Sequence, residues 1–246
     1  METSLKNALR ATTIEVKNLK REEVLRMYEL FNEYYIHHDL SQFERDLFEK
    51  DHVILLRDKE DQSIQGFSTL VCTPLRKSSK EVIGVFSGDT VVNKNYWGST
   101  ALGLEFLKYL WFLKIKRPRT PVYWFLITKG YKTYLMMAKN FSTFYPRLEE
   151  QTPHEYKKLM DDFYSKKFLQ LYDPNSGLVC HDGESCALKE QVADITPDLL
   201  SEPRIKFFQE KNPHWARGEE LTCIAKMTFL MPFKYLFKKI LQVRKR

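Results

Sequence analysis

The sequence predicts an α/β (α+β) protein in which a mixed, mostly antiparallel central sheet is flanked by helices, with a helical C-terminal extension. Three observations predict this class: stretches in which apolar and polar residues alternate, stretches with apolar residues at helical spacing, and the regular succession of the two. The chain has 246 residues, of which 43% are hydrophobic and 14% aromatic. It is therefore long enough to bury a sizeable core.

Strand and helix patterns succeed one another from residue 13 to residue 169. A half-buried strand precedes two amphipathic helices, and a polar turn then joins two antiparallel strands. A long strand leads into a helix that is apolar on most faces, which predicts that this helix is buried. An unbroken apolar strand and two more helices follow. The predicted strands cover 13–19, 52–58, 64–75, 82–92 and 121–128, and the predicted helices cover 20–35, 40–51, 100–115, 131–145 and 153–169.

The patterns divide the chain into three parts. Residues 1–168 are expected to form one domain, and residues 169–232 a C-terminal extension packed on the same domain. Within the extension, 172–215 is rich in turns and 221–232 favours a last strand. Residues 233–246 pair large apolar residues with cations, which is typical of a basic amphipathic helix. Such a tail fits peripheral contact with an anionic membrane or with an acidic carrier protein; the alternative is a solvated charged terminus.

Charge and cysteine spacing exclude several classes of partner. The tail holds six cations and no acid, against a formal net charge of +7 for the whole chain, so the remainder is close to neutral. Nucleic acid is therefore not expected as a partner. The N-terminus lacks the apolar stretch of a secretory signal, which favours a cytoplasmic protein. The cysteines show no paired short spacing of a zinc site, so no metal is expected; they are Cys72, Cys180, Cys186 and Cys223.

One stretch carries a local functional signal, VVNKNYWGSTALG from Val91 to Gly103, where the long strand turns into the apolar helix. Val92, Tyr96 and Gly98 stand at the spacing found in the GNAT superfamily of N-acyltransferases. In that family a Val-x-Pro-x-Tyr strand end precedes Arg-Gly-x-Gly-x-Gly at the start of a helix. The order of predicted elements from residue 13 to residue 146 resembles that family too.

The resemblance implies that this turn binds the anionic end of a thioester donor, either acyl-CoA or an acyl carrier protein. The amides of Ser99, Thr100 and Ala101 would bind phosphate at the helix N-terminus, and Gly98 would allow the tight turn. The chain departs from the family here, since Trp97 replaces the arginine and Thr100 and Leu102 replace two glycines. The alternative is that Ser99 or Thr100 only caps a core helix. A carrier protein, which presents no adenosine diphosphate, would tolerate a turn with one glycine.

The same resemblance implies acyl transfer from the thioester to an amine, by direct attack within a ternary complex. A group must then take a proton from the attacking ammonium. Ser87-Gly88-Asp89 fits the bulge that interrupts this strand in the family, and Thr90 and Val92 would hold the pantetheine arm through their backbone groups. Asp89 is the predicted base, and its alternative role is to stabilise the bulge.

Other predicted site residues come from two helices and one strand. Tyr134 is the predicted acid, and the alternative is that it packs against the sheet. His38 would bind or deprotonate the acceptor, a small-molecule amine. The alternative is that it is only a polar residue at a helix junction. Aromatic residues and methionines near Trp124 would line the acyl site or fill the core. Two alternative functions follow: an inactive GNAT-shaped binding module, or a synthase of N-acyl amino acids or acyl-homoserine lactones that uses a long acyl chain.

Overall fold

The computed structural model describes residues 8–35, 39–180 and 195–231. These residues form two compact units. The first unit contains residues 8–35, 39–72 and 85–109, and the second contains 73–84, 110–180 and 195–231. Two long strands and one helix run from one unit into the other. The predicted limits at residues 168 and 232 stay predictions.

The first unit is a sheet in the order β1-β2-β3-β4 together with helices. Its strands are β1 (Leu9–Glu15), β2 (His52–Asp58), β3 (Ile64–Lys77) and β4 (Lys80–Val92), of which β3 and β4 extend into the second unit. Its helices are α1 (Arg21–Tyr34), α2 (Leu40–Phe48) and the first half of α3 (Ala101–Lys116). Both β1–β2 and β2–β3 are antiparallel.

Helices α1 and α2 pack on one face of this sheet. The apolar stripe of α1 is fully buried at Met27 and Leu30, and Phe43 of α2 contacts Phe67 of β3 edge to face. Asp39 caps α2 by accepting a hydrogen bond from the Gln42 amide at 2.7 Å. The core cluster that results includes side chains from β2, β3 and the end of β4. It fixes the position of the β4 end, from which the predicted phosphate turn starts.

The strands of the second unit follow one another in the order β4-β5-β9-β8-β7, with a short β6 that also pairs with β9. Each pair of strands in it whose register is described is antiparallel. Its strands are β5 (Val122–Thr128), β6 (Phe144–Tyr145), β7 (Tyr172–Asp173), β8 (Leu178–Val179) and β9 (Glu220–Met227). Its further helices are α4 (Tyr131–Asn140), α5 (His154–Phe168) and α6 (Pro203–Lys211).

The predicted fold class and the predicted order of elements are confirmed from β1 to α4, while three details differ. The first strand was predicted too late by four residues, because the chain turns at the short 3₁₀ helix Val16–Asn18. The C-terminal extension is not only helical, since it supplies β7, β8 and the central strand β9 beside β5. The predicted burial of α3 is wrong at its C-terminal half, where Phe112 and Ile115 are 51% and 48% exposed.

Candidate functional site

Ser87, Gly88 and Asp89, where a bulge was predicted, lie within strand β4, Lys80–Val92, and the bulge itself stays a prediction. Gly88 also has a packing role. A Cβ at this position would lie 2.9 Å from Oγ1 of Thr69 on β3, closer than side chains normally approach. The glycine therefore allows close packing of the two strands.

Asp89, the predicted base, is half-exposed at this strand position. Among the described residues its hydrogen-bond partner is the Thr69 hydroxyl, which donates to Oδ2 at a long 3.5 Å. The alternative role, in which Asp89 bonds neighbouring amides to stabilise a bulge, stays a prediction. The carboxylate is loosely held and reachable from solvent, which is what a proton acceptor for a substrate requires.

The two predicted pantetheine contacts differ in availability. Thr90 is exposed, and its hydroxyl donates to the Gly88 carbonyl at 2.9 Å and lies 2.7 Å from Ser68 Oγ. The Val92 carbonyl, by contrast, accepts a hydrogen bond of 2.8 Å from the indole Nε1 of Trp97. Trp97, which stands in place of the family's arginine, thus bonds to the strand that was expected to hold the donor.

The turn between β4 and α3 is built from local hydrogen bonds. Asn93 accepts a bond from the Asn95 amide through its side chain, and a 3₁₀ turn over Lys94–Tyr96 follows. Gly98 adopts φ +84°, in the left-handed region that glycine enters without strain. The Thr100 carbonyl accepts from the Leu104 amide at 3.0 Å, which is the first helical bond of α3.

The amides that were predicted to bind phosphate are only partly available. The Ser99 amide donates to the Tyr96 carbonyl at 3.0 Å, so the expectation that this amide is open is wrong. The Ala101 amide donates to the Ser99 hydroxyl at 3.3 Å, a long bond that rotation of the serine side chain would release. Gly98 and Thr100 are exposed at the same place. The Ser99 side chain thus bonds the first amide of α3 weakly, and an anion could replace it.

Two tyrosines fix this turn to the rest of the first unit. Tyr34, near the end of α1, accepts a hydrogen bond of 2.7 Å from the Lys94 amide, and its ring centroid lies 6.3 Å from that of Trp97. Burial raises the pKa of Tyr34. Tyr96 donates to Asp58 at 2.7 Å, a bond that raises the pKa of Tyr96 to about 12. The role of Tyr34 had no local sequence signal, because its partner lies 60 residues away.

Tyr134, the predicted acid, has no exposed surface in the second unit. Its hydroxyl donates to the Pro146 carbonyl at 3.1 Å, and its ring packs among Phe144, Phe207 and Phe208. Burial raises the pKa of Tyr134 well above the ordinary value. This environment corrects the acid assignment in favour of packing, since a fully buried side chain cannot reach a substrate.

The apolar residues that could line an acyl site also pack as core. Trp124 and Phe125 on β5 and Phe141 after α4 are buried, and Phe125 stacks on Phe163 with ring centroids 4.2 Å apart. An open groove of about 560 Å³ in the second unit contains none of the predicted site residues; it lies between the β3–β4 hairpin and α5. His38 lies outside the described residues.

Neither a metal-binding cluster nor a membrane-spanning helix occurs in the described part of the chain. No group of three or more His, Cys, Asp or Glu side chains is placed there to hold a metal ion. Among the helices of residues 8–35, 39–180 and 195–231, none has the length and apolar character needed to cross a membrane.

The chain is similar in fold to solved N-acyltransferases. An acyl-CoA N-acyltransferase from Pseudomonas aeruginosa is 18% identical with a TM-score of 0.39, over 54% of this chain and 88% of that chain. Glucosamine-6-phosphate N-acetyltransferase from Arabidopsis thaliana is 11% identical with a TM-score of 0.39, over 59% and 98%. A probable N-acyltransferase from Enterococcus faecalis is 14% identical with a TM-score of 0.39, and the matched part spans only 33% of its length.

Comparison by sequence gives no family. No protein-family model matches the chain, and no curated protein is similar to it by sequence.

Proposed function

We propose that this protein is an N-acyltransferase that moves an acyl group from a thioester donor to the amine of a small molecule. The observation that carries the proposal is the arrangement at the end of β4. Asp89 and Thr90 are reachable from solvent, and within a few residues the strand enters a turn with Gly98 in the left-handed region and the exposed N-terminus of α3. A reachable carboxylate beside a helix N-terminus suits a reaction between an ammonium and an anionic thioester carrier.

The reaction forms one C–N bond and breaks one C–S bond. An ammonium acceptor gives up two protons in becoming an amide nitrogen. Asp89 would take the first before attack and pass it to solvent, and the second leaves the nitrogen as the tetrahedral intermediate collapses. The departing thiolate takes up one proton from water, because Tyr134 is enclosed in the core, so one proton is released overall for each thiol formed. The remaining rate enhancement would come from alignment of the two bound reactants.

The donor is acyl-CoA or an acyl carrier protein. With the Ser99 amide already bonded and Trp97 in place of an arginine, the turn offers few donors for a pyrophosphate. This favours a carrier protein, whose phosphopantetheine has a single phosphate. Titration calorimetry of the protein with CoA and with acyl carrier protein separates the two donors. The variant Trp97→Arg is expected to raise the affinity for CoA and to leave that for the carrier protein unchanged.

Asp89→Asn tests the proposed base. We expect kcat/KM for thiol release to fall by about 10²–10⁴-fold while donor affinity is unchanged. Asp198→Asn, at an exposed acid of the second unit, is the matched control and should keep full activity. Full activity of Asp89→Asn would eliminate Asp89 as the base without excluding acyl transfer itself.

A second candidate function is an inactive binding module of the same fold. The engaged Ser99 amide and the bond from Trp97 to the Val92 carbonyl favour it, because both occupy groups that a donor would use. The measurement is release of free thiol from an acyl donor incubated with a mixture of amines. Turnover eliminates the binding module, whereas donor binding without turnover supports it. Long-chain donors belong in the same assay, since a synthase of N-acyl amino acids or acyl-homoserine lactones that uses a long acyl chain would release thiol from them.

A further inference from the structure

Large apolar side chains are exposed in the second unit where α3 ends and where the chain leaves β9. Phe112 and Ile115 of α3 are 51% and 48% exposed, and Phe229 and Leu230 are 44% and 64% exposed. Phe112 and Ile115 share one helix face because they are three residues apart. The ammonium of Lys114 lies 5.0 Å from the centre of the Phe229 ring, so the segment that follows β9 runs beside the C-terminal turn of α3. These four apolar residues are called the apolar patch below.

Cations surround the apolar patch. Lys116 lies with its ammonium 4.4 Å from the centre of the Phe112 ring, and Arg117 and Arg119 are exposed in the loop that follows. Arg117 pairs with Glu81 at 3.2 Å, an exposed contact of small energy. Lys114 has a structural role, since it donates to the Pro118 and Thr120 carbonyls at 2.8 and 2.9 Å.

Both segments of the apolar patch belong to long stretches without acidic residues. No Asp or Glu occurs from residue 106 to residue 148, which contains nine Lys and Arg, nor from 221 to 246, which contains seven. The second stretch continues directly from the apolar patch into the tail FKYLFKKILQVRKR. The patch and the chain that leaves it thus share one composition, large apolar residues with cations and no acids. Such a composition is complementary to a partner in which anionic groups cover an apolar layer.

We propose that the apolar patch docks this protein on the surface of an anionic lipid bilayer. Phe112, Ile115, Phe229 and Leu230 enter the region below the headgroups, and Lys116 and Arg119 pair with lipid phosphates. A nucleic acid would satisfy the cations but would leave the four apolar side chains in water. The proposal concerns a surface of the second unit and is independent of the proposed acyl transfer.

Vesicle sedimentation of the full chain tests the proposal. The wild type is expected to sediment with vesicles of phosphatidylcholine containing phosphatidylserine, more weakly as salt rises, and not with phosphatidylcholine alone. The double variant Phe112→Ser, Ile115→Ser should lower the partition coefficient by about tenfold or more, because two apolar side chains no longer leave water. Lys116→Glu with Arg119→Glu should do the same through charge. Leu169→Ser is the matched control, at an apolar residue of the same unit that is 74% exposed.

Several outcomes would overturn the proposal. They are equal binding to neutral vesicles, unchanged partitioning of both double variants, or loss of binding only when the chain is cut after Met231. Binding to a DNA duplex that is unaffected by Phe112→Ser, Ile115→Ser, without any vesicle binding, would indicate a polyanion site instead. All altered positions are exposed, so thermal unfolding of each variant should match the wild type and show that the measured loss is one of binding.

Discussion

Replacement of Gly66 by alanine probes how the strand that leads into the turn is held. A Cβ at Gly66 would lie 2.7 Å from the Val91 carbonyl oxygen, 3.0 Å from Cδ1 of Leu56 and 3.1 Å from Cα of Val92. Two of these atoms belong to the backbone of β4 and cannot rotate away, so β3 and β4 must separate by several tenths of an ångström. Overpacking of this kind costs about 1–3 kcal/mol. We expect Gly66→Ala to lower the free energy of unfolding by that amount and to weaken donor binding.

Gly103 offers the matched control for this substitution. It lies in the first turn of α3, and a Cβ there would meet nothing within 4 Å. Alanine is favoured over glycine inside a helix by about 0.5–1 kcal/mol, so Gly103→Ala should raise the free energy of unfolding. Urea denaturation measures both variants, and titration with CoA or acyl carrier protein reports on the turn. Wild-type stability of Gly66→Ala, or a loss in Gly103→Ala as large as in Gly66→Ala, would refute the reasoning.

Three further substitutions have defined outcomes. Tyr34→Phe removes the acceptor of the Lys94 amide, so urea denaturation should show a free energy of unfolding lower by about 1 kcal/mol. Calorimetry should show weaker binding of the acyl donor, and unchanged values of both would contradict the role of this bond. Arg204 holds the pKa of Glu149 at about 2, below its ordinary 4.5, mainly by a hydrogen bond. The ionised Glu149 therefore stabilises the folded state above pH 4.5, and this stabilisation is lost as the pH falls towards 2. Tm should drop less between these pH values in Arg204→Gln than in the wild type. Equal drops in Tm would contradict the role of this pair. Tyr134→Phe should keep kcat and lose about 1 kcal/mol of stability, whereas a collapse of kcat would restore the acid role.

Periodicity was sufficient to predict the fold class and most elements, because their burial follows directly from residue spacing. The stripe of α1 and the apolar run of β5 are examples: both are buried in the structure as their patterns indicate. The connection between β3 and β4 is a polar stretch in which Ser78 and Ser79 take positive φ. Sequence could not place β9 beside β5, since the pairing joins residues about 100 apart and local pattern carries no information on it.

The candidate site was harder to predict than the fold. Gly98 was rightly singled out for a tight turn, because its left-handed φ is a local property of the chain. The bonds that decide whether the turn can take a ligand depend on side-chain direction, as with the Trp97 indole and the Val92 carbonyl. Tyr134 failed as an acid for a related reason. Spacing along a helix gives the face of a residue, but it does not say that other aromatic rings cover that face.

The hydrogen bond from the Lys94 amide to Tyr34 has a consequence for the order in which ligands bind. Tyr34 lies near the end of α1 and also contacts the Trp97 ring, so a ligand that displaces Trp97 must disturb α1 as well. By linkage, a molecule bound against α1 would change the affinity of the turn for its ligand by the same factor as that ligand changes the affinity of α1 for the molecule. Because displacement of Trp97 removes a contact of Tyr34, the two ligands would weaken each other's binding, and the Tyr34→Phe variant would reduce this coupling.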